Sequence, residues 1–349
     1  MKKNILFCGT PEFAIASLKA VYEHQDTLNY TLAGVLTIPD RIAGRGQKIQ
    51  ESPIKKEAQN LGLKIFEPLN LNDSDFINQI QKLNLDLIIV VAFKKLPKTL
   101  FNIPTIGTIN LHASLLPKYR GAAPINWAII NGEKETGLTT FFINENIDTG
   151  DIILQSKISI NTNWHADDLY NTLMQQSNLI IYNTIQLITK GSYTTIKQDK
   201  QFNKQLKYAP KITKQDRLID NSFWINKTVK KIYNFMRGMS PPGVKIRIII
   251  CQTDDLKIKT KKESSVKSII ITKVDNYIKN KHKSHLQKPT NIYISTAYKN
   301  QLILTNNVES FNIEKLKIES GKEITAKEFY NGFVKNKNNI NTISLDTSN

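Results

Sequence analysis

Three polar residues of the chain are spaced so that two strand ends could bring an amide, an imidazole and a carboxylate together. Asn110 and His112 lie two positions apart, and Asp148 follows in a later loop, Asn-Ile-Asp-Thr-Gly-Asp. Because side chains of a strand alternate between its faces, Asn110 and His112 are predicted to share one side while Leu111 points into the sheet. The spacing therefore predicts one pocket that holds a hydrogen-bond donor and a proton carrier.

Such a trio suits the transfer of a one-carbon acyl group to an amine. A peptide α-amino group titrates near pH ~7.7, so it needs little activation, and the main task is to stabilise the oxyanion that forms at the carbonyl. Asn110 can donate its amide N–H to that oxygen. His112 can donate to the same oxygen or carry a proton to the leaving nitrogen. Asp148 would fix the imidazole tautomer through a hydrogen bond.

Each of these residues also has an ordinary structural interpretation. A histidine beside an asparagine on a strand is about as often a satisfied core residue as a catalyst. Asp148-Thr149-Gly150 alone could be a simple turn, since Asp and Gly are turn formers. These alternatives weaken because the trio occurs together with the run Ser114-Leu115-Leu116-Pro117-Lys118-Tyr119-Arg120-Gly121.

The elements around the trio predict an α/β fold. Short apolar runs alternate with helical patterns in the first half of the chain, which is typical of a Rossmann-like, doubly wound parallel sheet. Residues 85–92 are apolar almost throughout and are predicted to form a central strand covered on both faces. Ser52 and Pro53 are predicted to open a helix, and a long amphipathic helix is predicted from about Ala166 to Thr189.

A second domain is predicted after a polar, Lys-rich linker. Residues 1–191 form the first domain and residues 192–210 the linker. In residues 211–335 a helix from about Trp224 to Met239 is followed by several short β runs, which favours a small β-barrel of the oligonucleotide-binding type. Residues 336–349 are predicted to be a disordered tail.

Composition narrows the class of protein. The 349 residues are 40% hydrophobic and include only two cysteines, Cys8 and Cys251, so neither a disulfide framework nor a zinc set is expected. The apolar run after Met1 is too short for a signal peptide, and no other run is long enough to cross a bilayer. We therefore expect a cytoplasmic protein with no membrane contact and no metal. A monomer is the expected oligomeric state, although composition does not determine it.

The net charge of +18 is concentrated in the second half of the chain. Residues 1–190 hold 18 Lys and Arg against 17 Asp and Glu, whereas residues 191–349 hold 30 against 13. A neutral half with the acid and base residues, joined to a basic half, indicates chemistry in one domain and a polyanion such as RNA bound by the other. The alternative is solubility combined with AT-rich coding, which would enrich Lys, Ile and Asn everywhere.

The combined motifs strongly resemble the folate-dependent formyltransferases, and within them the branch that acts on methionyl-tRNA. The resemblance extends to about Val334 and is carried by residues 9–14, 39–48 and 316–323 in addition to the catalytic region. It implies that Asn110, His112 and Asp148 are catalytic. It also implies that the Ser-Leu-Leu-Pro run binds folate through Ser114, Leu115, Leu116 and Pro117.

The resemblance further implies a reaction. It would move the formyl group of 10-formyltetrahydrofolate to the amino group of methionyl-initiator tRNA in translation initiation. Formyltransferases that act on small amines lack the basic, glycine-bearing segment of residues 40–48, where Arg41, Arg45 and Lys48 could hold RNA phosphates. The ordinary interpretation of this segment is a solvated loop with three surface cations.

Two other functions are compatible with the sequence. A folate-dependent formyl hydrolase, or a formyltransferase acting on another amine, could use the same trio, although the basic second domain argues against it. A non-catalytic RNA-binding descendant would keep the barrel and lose turnover, although the intact trio argues against that. The Lys-rich residues 257–288 match no motif of the family.

Overall fold

The computed structural model describes residues 2–43, 48–198, 206–219, 223–224, 227–251, 264–279, 293–295, 301–306, 308–318, 321–334 and 342–345. The chain divides into two compact units. Unit 1 comprises Met1–Pro124, Glu135–Ser159 and Leu169–Pro210, and unit 2 comprises Ile125–Lys134, Ile160–Asp168 and Lys211–Asn349. The division predicted from the sequence was contiguous, whereas two short stretches of the first half belong to the second unit.

The main sheet of unit 1 has seven strands in the order β5-β2-β1-β6-β7-β8-β9. A separate hairpin pairs β3 with β4. The strands are β1 (Lys3–Gly9), β2 (Tyr30–Leu36), β3 (Arg41–Ala43), β4 (Lys48–Gln50), β5 (Ile65–Phe66), β6 (Leu87–Val91), β7 (Gly107–His112), β8 (Glu135–Phe142) and β9 (Ile152–Ser159).

Helices alternate with these strands along the chain. In chain order they are α1 (Ile15–Glu23), α2 (Pro53–Asn60), α3 (Ser74–Gln81), α4 (Lys98–Phe101), α5 (Pro124–Ile130) and α6 (Ala166–Thr189). The start of α2 has the predicted cap: the Ser52 hydroxyl accepts from the Lys55 backbone N–H at 3.0 Å, and Pro53 is the first helical residue. The predicted bounds of the long helix match α6.

The doubly wound sheet predicted from the sequence is confirmed, with five parallel strands from β5 to β7. The last two strands, β8 and β9, run antiparallel, and the alternation of strands and helices did not predict this. The sequence order of the strands reverses between β1 and β6. Ligands of such sheets bind outside the carboxyl ends of the strands near this point, and β7, which ends at His112, is the neighbour of β6.

The described residues of unit 2 form an antiparallel β sheet and a ten-residue helix. The helix α7 (Val229–Gly238) has a Thr228 cap and packs its apolar side on the sheet. The strands follow the hydrogen-bonded path β12-β13-β14-β11-β10-β16, and β15 pairs with β14. They are β10 (Val244–Cys251), β11 (Ser264–Lys279), β12 (Tyr293–Ser295), β13 (Leu302–Thr305), β14 (Glu309–Ile318), β15 (Glu323–Thr325) and β16 (Thr342–Leu345); a short helix α8 (Ala326–Phe329) follows β15.

The two ends of that path, β12 and β16, approach each other, so the sheet curls toward a small barrel, as predicted. Thr342–Leu345, however, were assigned to a disordered tail, and here they form β16, which pairs antiparallel with β10. The alternation Thr-Ile-Ser-Leu suits an edge strand, and Leu345 is buried. The prediction of disorder is therefore wrong for these four residues, while residues 335–341 and 346–349 lie outside the described part of the chain.

The stretches of the first half that belong to unit 2 make close contacts within it. The Asn126 side chain donates to the Gly238 carbonyl at 2.8 Å, at the end of α7. A Cβ at Gly238 would lie 2.5 Å from the Ile130 side chain, so only glycine allows α5 and α7 to approach this closely. Among the described residues, no helix combines the length and the apolar character that crossing a bilayer requires.

His165 is a buried titratable group of unit 2. Its Nε2 accepts from the Val274 backbone N–H at 3.3 Å, which requires an unprotonated nitrogen. Burial first, and then the charge of Arg237, lower the pKa of His165 below its ordinary value of 6.5. Lys273 acts in the same direction, whereas Asp167 and Asp168 oppose the shift. The folded unit therefore favours the neutral imidazole.

We expect the stability of unit 2 to fall as the pH is lowered from about 7 to about 5.5. Below pH 6.5 the unfolded chain binds a proton at His165 that the folded unit resists. The free energy of unfolding therefore decreases by up to about 1.4 kcal/mol per pH unit from this residue. The three tryptophans of the chain, Trp127, Trp164 and Trp224, all belong to unit 2, so their fluorescence during chemical denaturation reports on this unit alone.

The matched variant is His165→Gln, which cannot titrate. Its free energy of unfolding should depend less steeply on pH over the same range than that of the unsubstituted protein. An equal loss of stability in both proteins would show that His165 does not cause the dependence.

Candidate active site

Asn110 and His112 lie at the carboxyl end of β7, between β6 and β8. Asn110 pairs with Val90 on one side and with Phe141 on the other. The side chain of Asn110 is half-buried, whereas His112 is buried. The two residues are separated by Leu111, so period-two alternation places them on the same side of the strand, as predicted.

His112 and Asp148 are brought together. The distance from His112 Nδ1 to Asp148 Oδ2 is 3.7 Å, and both side chains are largely buried. This distance suits an ion pair but is too long for the predicted hydrogen bond. The imidazole is held instead at its other nitrogen, where Nε2 lies 2.8 Å from the Tyr119 carbonyl oxygen. A carbonyl can only accept, so Nε2 carries a proton and Nδ1 faces Asp148.

The segment Tyr119–Gly121 contacts both members of this pair through its backbone. Tyr119 provides the carbonyl that accepts from His112, and the Gly121 N–H donates to Asp148 Oδ2 at 2.8 Å. A Cβ at Gly121 would lie 2.5 Å from the Ala209 carbonyl oxygen, so this position requires glycine. One short turn of backbone thus sets the positions of the imidazole and the carboxylate.

Asp148 projects from a tight loop, Asn144–Gly150, which we call the Asp148 loop. Asn144 Oδ1 accepts from the Asn146 N–H at 2.9 Å and from the Thr149 hydroxyl at 2.8 Å, and this closes the loop on itself. A Cβ at Gly150 would lie only 1.6 Å from the Phe142 carbonyl oxygen. The loop can therefore pack against the end of β8 only with glycine at this position.

The Ser114–Pro117 run forms a turn that begins two residues after His112. The Ser114 hydroxyl donates to the Lys118 carbonyl at 2.7 Å, and the Thr139 hydroxyl donates to the Ser114 carbonyl at 2.6 Å. Ser114 and Leu116 are buried, so they are placed to shape the turn. Leu115 and Pro117 are half-buried apolar residues. The folate-binding role of these four residues stays a prediction.

Profiles of two protein families match the chain. The profile described as formyl transferase matches residues 1–185, and the one described as formyl transferase, C-terminal domain, matches residues 211–334. The first match alone covers more than half of the chain and includes Asn110, His112 and Asp148. The chain belongs to the formyl transferase family.

Curated relatives narrow the comparison within the formyl transferases. The chain is 44% identical over 245 residues to a methionyl-tRNA formyltransferase of Bacteroides fragilis, covering 69% of this chain and 73% of that protein. It is 48% identical over 246 residues to the methionyl-tRNA formyltransferase of Azobacteroides pseudotrichonymphae, covering 69% and 74%.

Solved structures of formyl transferases share the fold at lower identity. One is the sugar 3N-formyl transferase WlaRD in the presence of dTDP and 5-N-formyl-THF, with a TM-score of 0.58 and 21% identity over 90% of this chain and 98% of that one. Another is an N-formyltransferase from Helicobacter canadensis in complex with folinic acid and dTDP-3-aminofucose. Its TM-score is 0.59, with 21% identity over 90% and 99% of the two chains.

The basic segment predicted to bind RNA lies on the β3–β4 hairpin of this formyl transferase. Arg41 is the first residue of β3 and is exposed, and Lys48 is the first residue of β4. Arg45 lies outside the described residues. The root of the hairpin is held by Lys55, whose ammonium donates to Asp40 at 2.8 Å and pairs with Glu67 at 3.0 Å. The tRNA-binding role of the three cations stays a prediction.

Sequence reasoning missed several groups that position the site. Thr139 and Gln155 hold the Ser114–Pro117 turn: Gln155 Nε2 donates to the Leu116 carbonyl and to the Thr139 hydroxyl, both at 2.9 Å. Register could have indicated Thr139, since it faces His112 across β7 and β8. Within the described ranges, no three His, Cys, Asp or Glu side chains lie together so as to hold a metal ion.

Proposed function

We propose that this formyl transferase moves the formyl group of 10-formyltetrahydrofolate to the amino group of methionyl-initiator tRNA. The observation that carries the proposal is the close approach of His112 and Asp148 beside Asn110 at the carboxyl edge of the sheet. The choice of acceptor is supported by the methionyl-tRNA formyltransferases at 44–48% identity and by the basic second half of the chain.

The residues at this edge fit a folate donor. Leu115 and Pro117 offer apolar surface, and Asn110 offers an amide for the formyl oxygen. When bound, 10-formyltetrahydrofolate supplies a formyl group already attached to a nitrogen that can leave as an amine. We therefore assign donor binding to the Ser114–Pro117 turn and the chemistry to the polar trio.

The trio can carry out the transfer as follows. The methionine nitrogen forms a bond to the formyl carbon while negative charge grows on the formyl oxygen. Asn110 donates to that oxygen, a contact worth roughly 3 kcal/mol where comparable donors have been removed. The bond from the formyl carbon to the folate nitrogen then breaks. One proton leaves the attacking amine and one reaches the leaving nitrogen. We assign this proton transfer between the two nitrogens to His112 Nδ1.

Asp148 stabilises the protonated imidazole during that proton transfer. Its Oδ2 lies 3.7 Å from Nδ1 in a largely buried position, where an ion pair is screened less than it would be in water. Tyr119 keeps the opposite nitrogen protonated, so the proton that is exchanged is the one on Nδ1. The imidazole is thereby held in one orientation through both protonation states.

The direct test is formylation of different acceptors by the purified protein. We expect product from 10-formyltetrahydrofolate with methionyl-initiator tRNA, and much slower reaction with free methionine or with a dTDP-linked amino sugar. Efficient formylation of the amino sugar with none of the tRNA would contradict the assigned acceptor. Release of formate without an acceptor would indicate a hydrolase.

Arg41→Ala is expected to raise the KM for methionyl-tRNA about fivefold to tenfold, because the variant loses an exposed cation to which we assign a phosphate contact. The KM for the folate donor should stay within about twofold. Steady-state kinetics with each substrate varied in turn would measure both values.

Lys82→Ala is the matched control for the Arg41 variant. Lys82 is also an exposed cation of unit 1, but it follows α3 and precedes the amino end of β6. The β3–β4 hairpin, by contrast, follows the carboxyl end of β2. The KM values of the Lys82→Ala variant for both substrates should not change. An equal rise in both variants would mean that general charge, and not the hairpin, attracts the RNA.

A further inference from the structure

The segment Tyr119–Gly121, which holds His112 and Asp148, is itself held by residues 207–209. The Tyr119 N–H donates to the Lys207 carbonyl at 2.5 Å, and the Ala209 N–H donates to the Arg120 carbonyl at 2.8 Å. Arg120 and Tyr208 form an isolated parallel bridge. Residues 207–209, which the sequence predicts to lie in a linker, therefore belong to unit 1 and pack against the segment that contacts His112 and Asp148.

Gln198, in the same stretch of chain, connects this segment to the Asp148 loop. Its Oε1 accepts from Arg120 Nε at 3.1 Å and from Arg120 Nη2 at 2.7 Å. Its Nε2 donates to the Gly150 carbonyl at 2.7 Å. A guanidinium can only donate and a carbonyl can only accept, so both ends of the amide have a single possible role.

The backbone two residues before Gln198 is also fixed. Ile196 and Ile152 exchange two backbone hydrogen bonds, both at 2.8 Å, next to the start of β9. The forked contact from Arg120 is charge-assisted, which makes it stronger and more directional than a neutral hydrogen bond. Gln198 is therefore held at both ends of its side chain, and Ile196 pairs the chain just before it with Ile152.

We propose that Gln198 is a positioning residue for formyl transfer, acting through Asp148. It ties Arg120, the neighbour of the Gly121 N–H that binds Asp148, to Gly150, two residues beyond Asp148. One side chain thus fixes the spacing between the two loops that set the distance from His112 to Asp148. The inference rests on the proposed function only in that the pair must serve an acyl transfer, whichever amine is the acceptor.

Three variants of the full chain test this. Gln198→Met removes both polar ends at similar size. Gln198→Glu keeps an acceptor for Arg120 but places a second acceptor against the Gly150 carbonyl. Gln186→Met is the matched control, because Gln186 is a half-buried glutamine of unit 1 whose amide donates only a 3.3 Å hydrogen bond to the Tyr182 hydroxyl on α6.

We expect kcat to fall about tenfold in Gln198→Met, because small displacements of catalytic groups are costly, with the KM for donor and acceptor within about twofold. The kcat of Gln198→Glu should fall by a similar factor, since the hydrogen bond to the Gly150 carbonyl is lost in both variants. The Gln186 control should keep the kcat and the thermal unfolding midpoint of the unsubstituted protein. The Gln198 variants should stay folded at the assay temperature, with a lower unfolding midpoint, because the hydrogen bond to the Gly150 carbonyl is lost in both. Wild-type kcat in Gln198→Glu would overturn the proposed link between the two loops.

The decisive measurement is Gln198→Met in an Asp148→Ala background, with single-turnover rates at excess enzyme. If Gln198 acts through Asp148, adding Gln198→Met to the Asp148→Ala protein should lower the single-turnover rate by less than about twofold. A further tenfold loss of rate in that background would overturn the proposal. The assay uses whichever amine the unsubstituted protein accepts. Lack of reaction with methionyl-tRNA would refute the proposed acceptor, and an unchanged kcat in Gln198→Met would refute only the positioning role.

Discussion

Replacing His112 with alanine is expected to lower kcat for formyl transfer by at least about 100-fold, because the group that moves the proton between the two nitrogens is removed. Affinity for RNA should be largely kept, since His112 is buried at the sheet edge and exposes little surface to a polyanion. Single-turnover formylation and a binding titration on the same preparation would measure both quantities.

The control for this variant is His24→Ala. His24 is a half-buried histidine at the end of α1 that packs edge-on against Tyr182. Its loss should cost some stability but little turnover. A His112→Ala protein within about fivefold of full activity would support the alternative in which His112 is a satisfied core residue. Combining His112→Ala with Asp148→Ala should cost little more than His112→Ala alone, because the two residues act as a unit.

Gly150→Ala is expected to have a comparably large effect, about 100-fold on kcat, without touching a polar group. The added Cβ would lie 1.6 Å from the Phe142 carbonyl oxygen, so the backbone of the Asp148 loop must move. A displacement of about 1 Å in a catalytic group can cost about 100-fold in rate. Overpacking of this kind also costs about 1–3 kcal/mol of stability, which thermal unfolding would report.

Gly332→Ala is the matched substitution for the Gly150 variant. A Cβ at Gly332 meets no atom within 4 Å, and its backbone is not left-handed. Activity and unfolding midpoint should both stay near those of the unsubstituted protein. Full activity of Gly150→Ala would mean that the Asp148 loop tolerates movement, and that its position is not critical for catalysis.

Sequence patterns predicted most strands and helices of unit 1 because hydrophobic runs, periodicity and helix caps are visible in short stretches of sequence. The apolar run of residues 85–92 became β6, buried on both faces, and the cap at Ser52 opened α2. Turn chemistry and propensity did not reveal that β8 turns antiparallel after α5. The short edge strand β16 was missed because its flanks are rich in Asn and Lys, as a disordered tail would be.

The polar side chains of the candidate site could be predicted from the sequence, whereas the groups that hold them in position could not. Asn110, His112 and Asp148 carry chemistry that a motif displays, and the structure brings His112 and Asp148 together. The groups that hold that pair are the Tyr119 carbonyl and the Gly121 N–H. Every residue type except proline has both backbone groups, so they leave no signal in the sequence. Gln198 lies far along the chain from Arg120, so only the fold reveals that they meet.

The interleaving of the two units has a consequence for synthesis on the ribosome. Ile130 of α5 emerges about 100 residues before Gly238, against which it packs. At roughly 5–20 residues per second, this apolar side chain waits on the order of 10 s for its partner. Unit 2 therefore cannot complete its folding until the later part of the chain has left the ribosome. A chaperone that shields α5 during that interval should raise the yield of native protein.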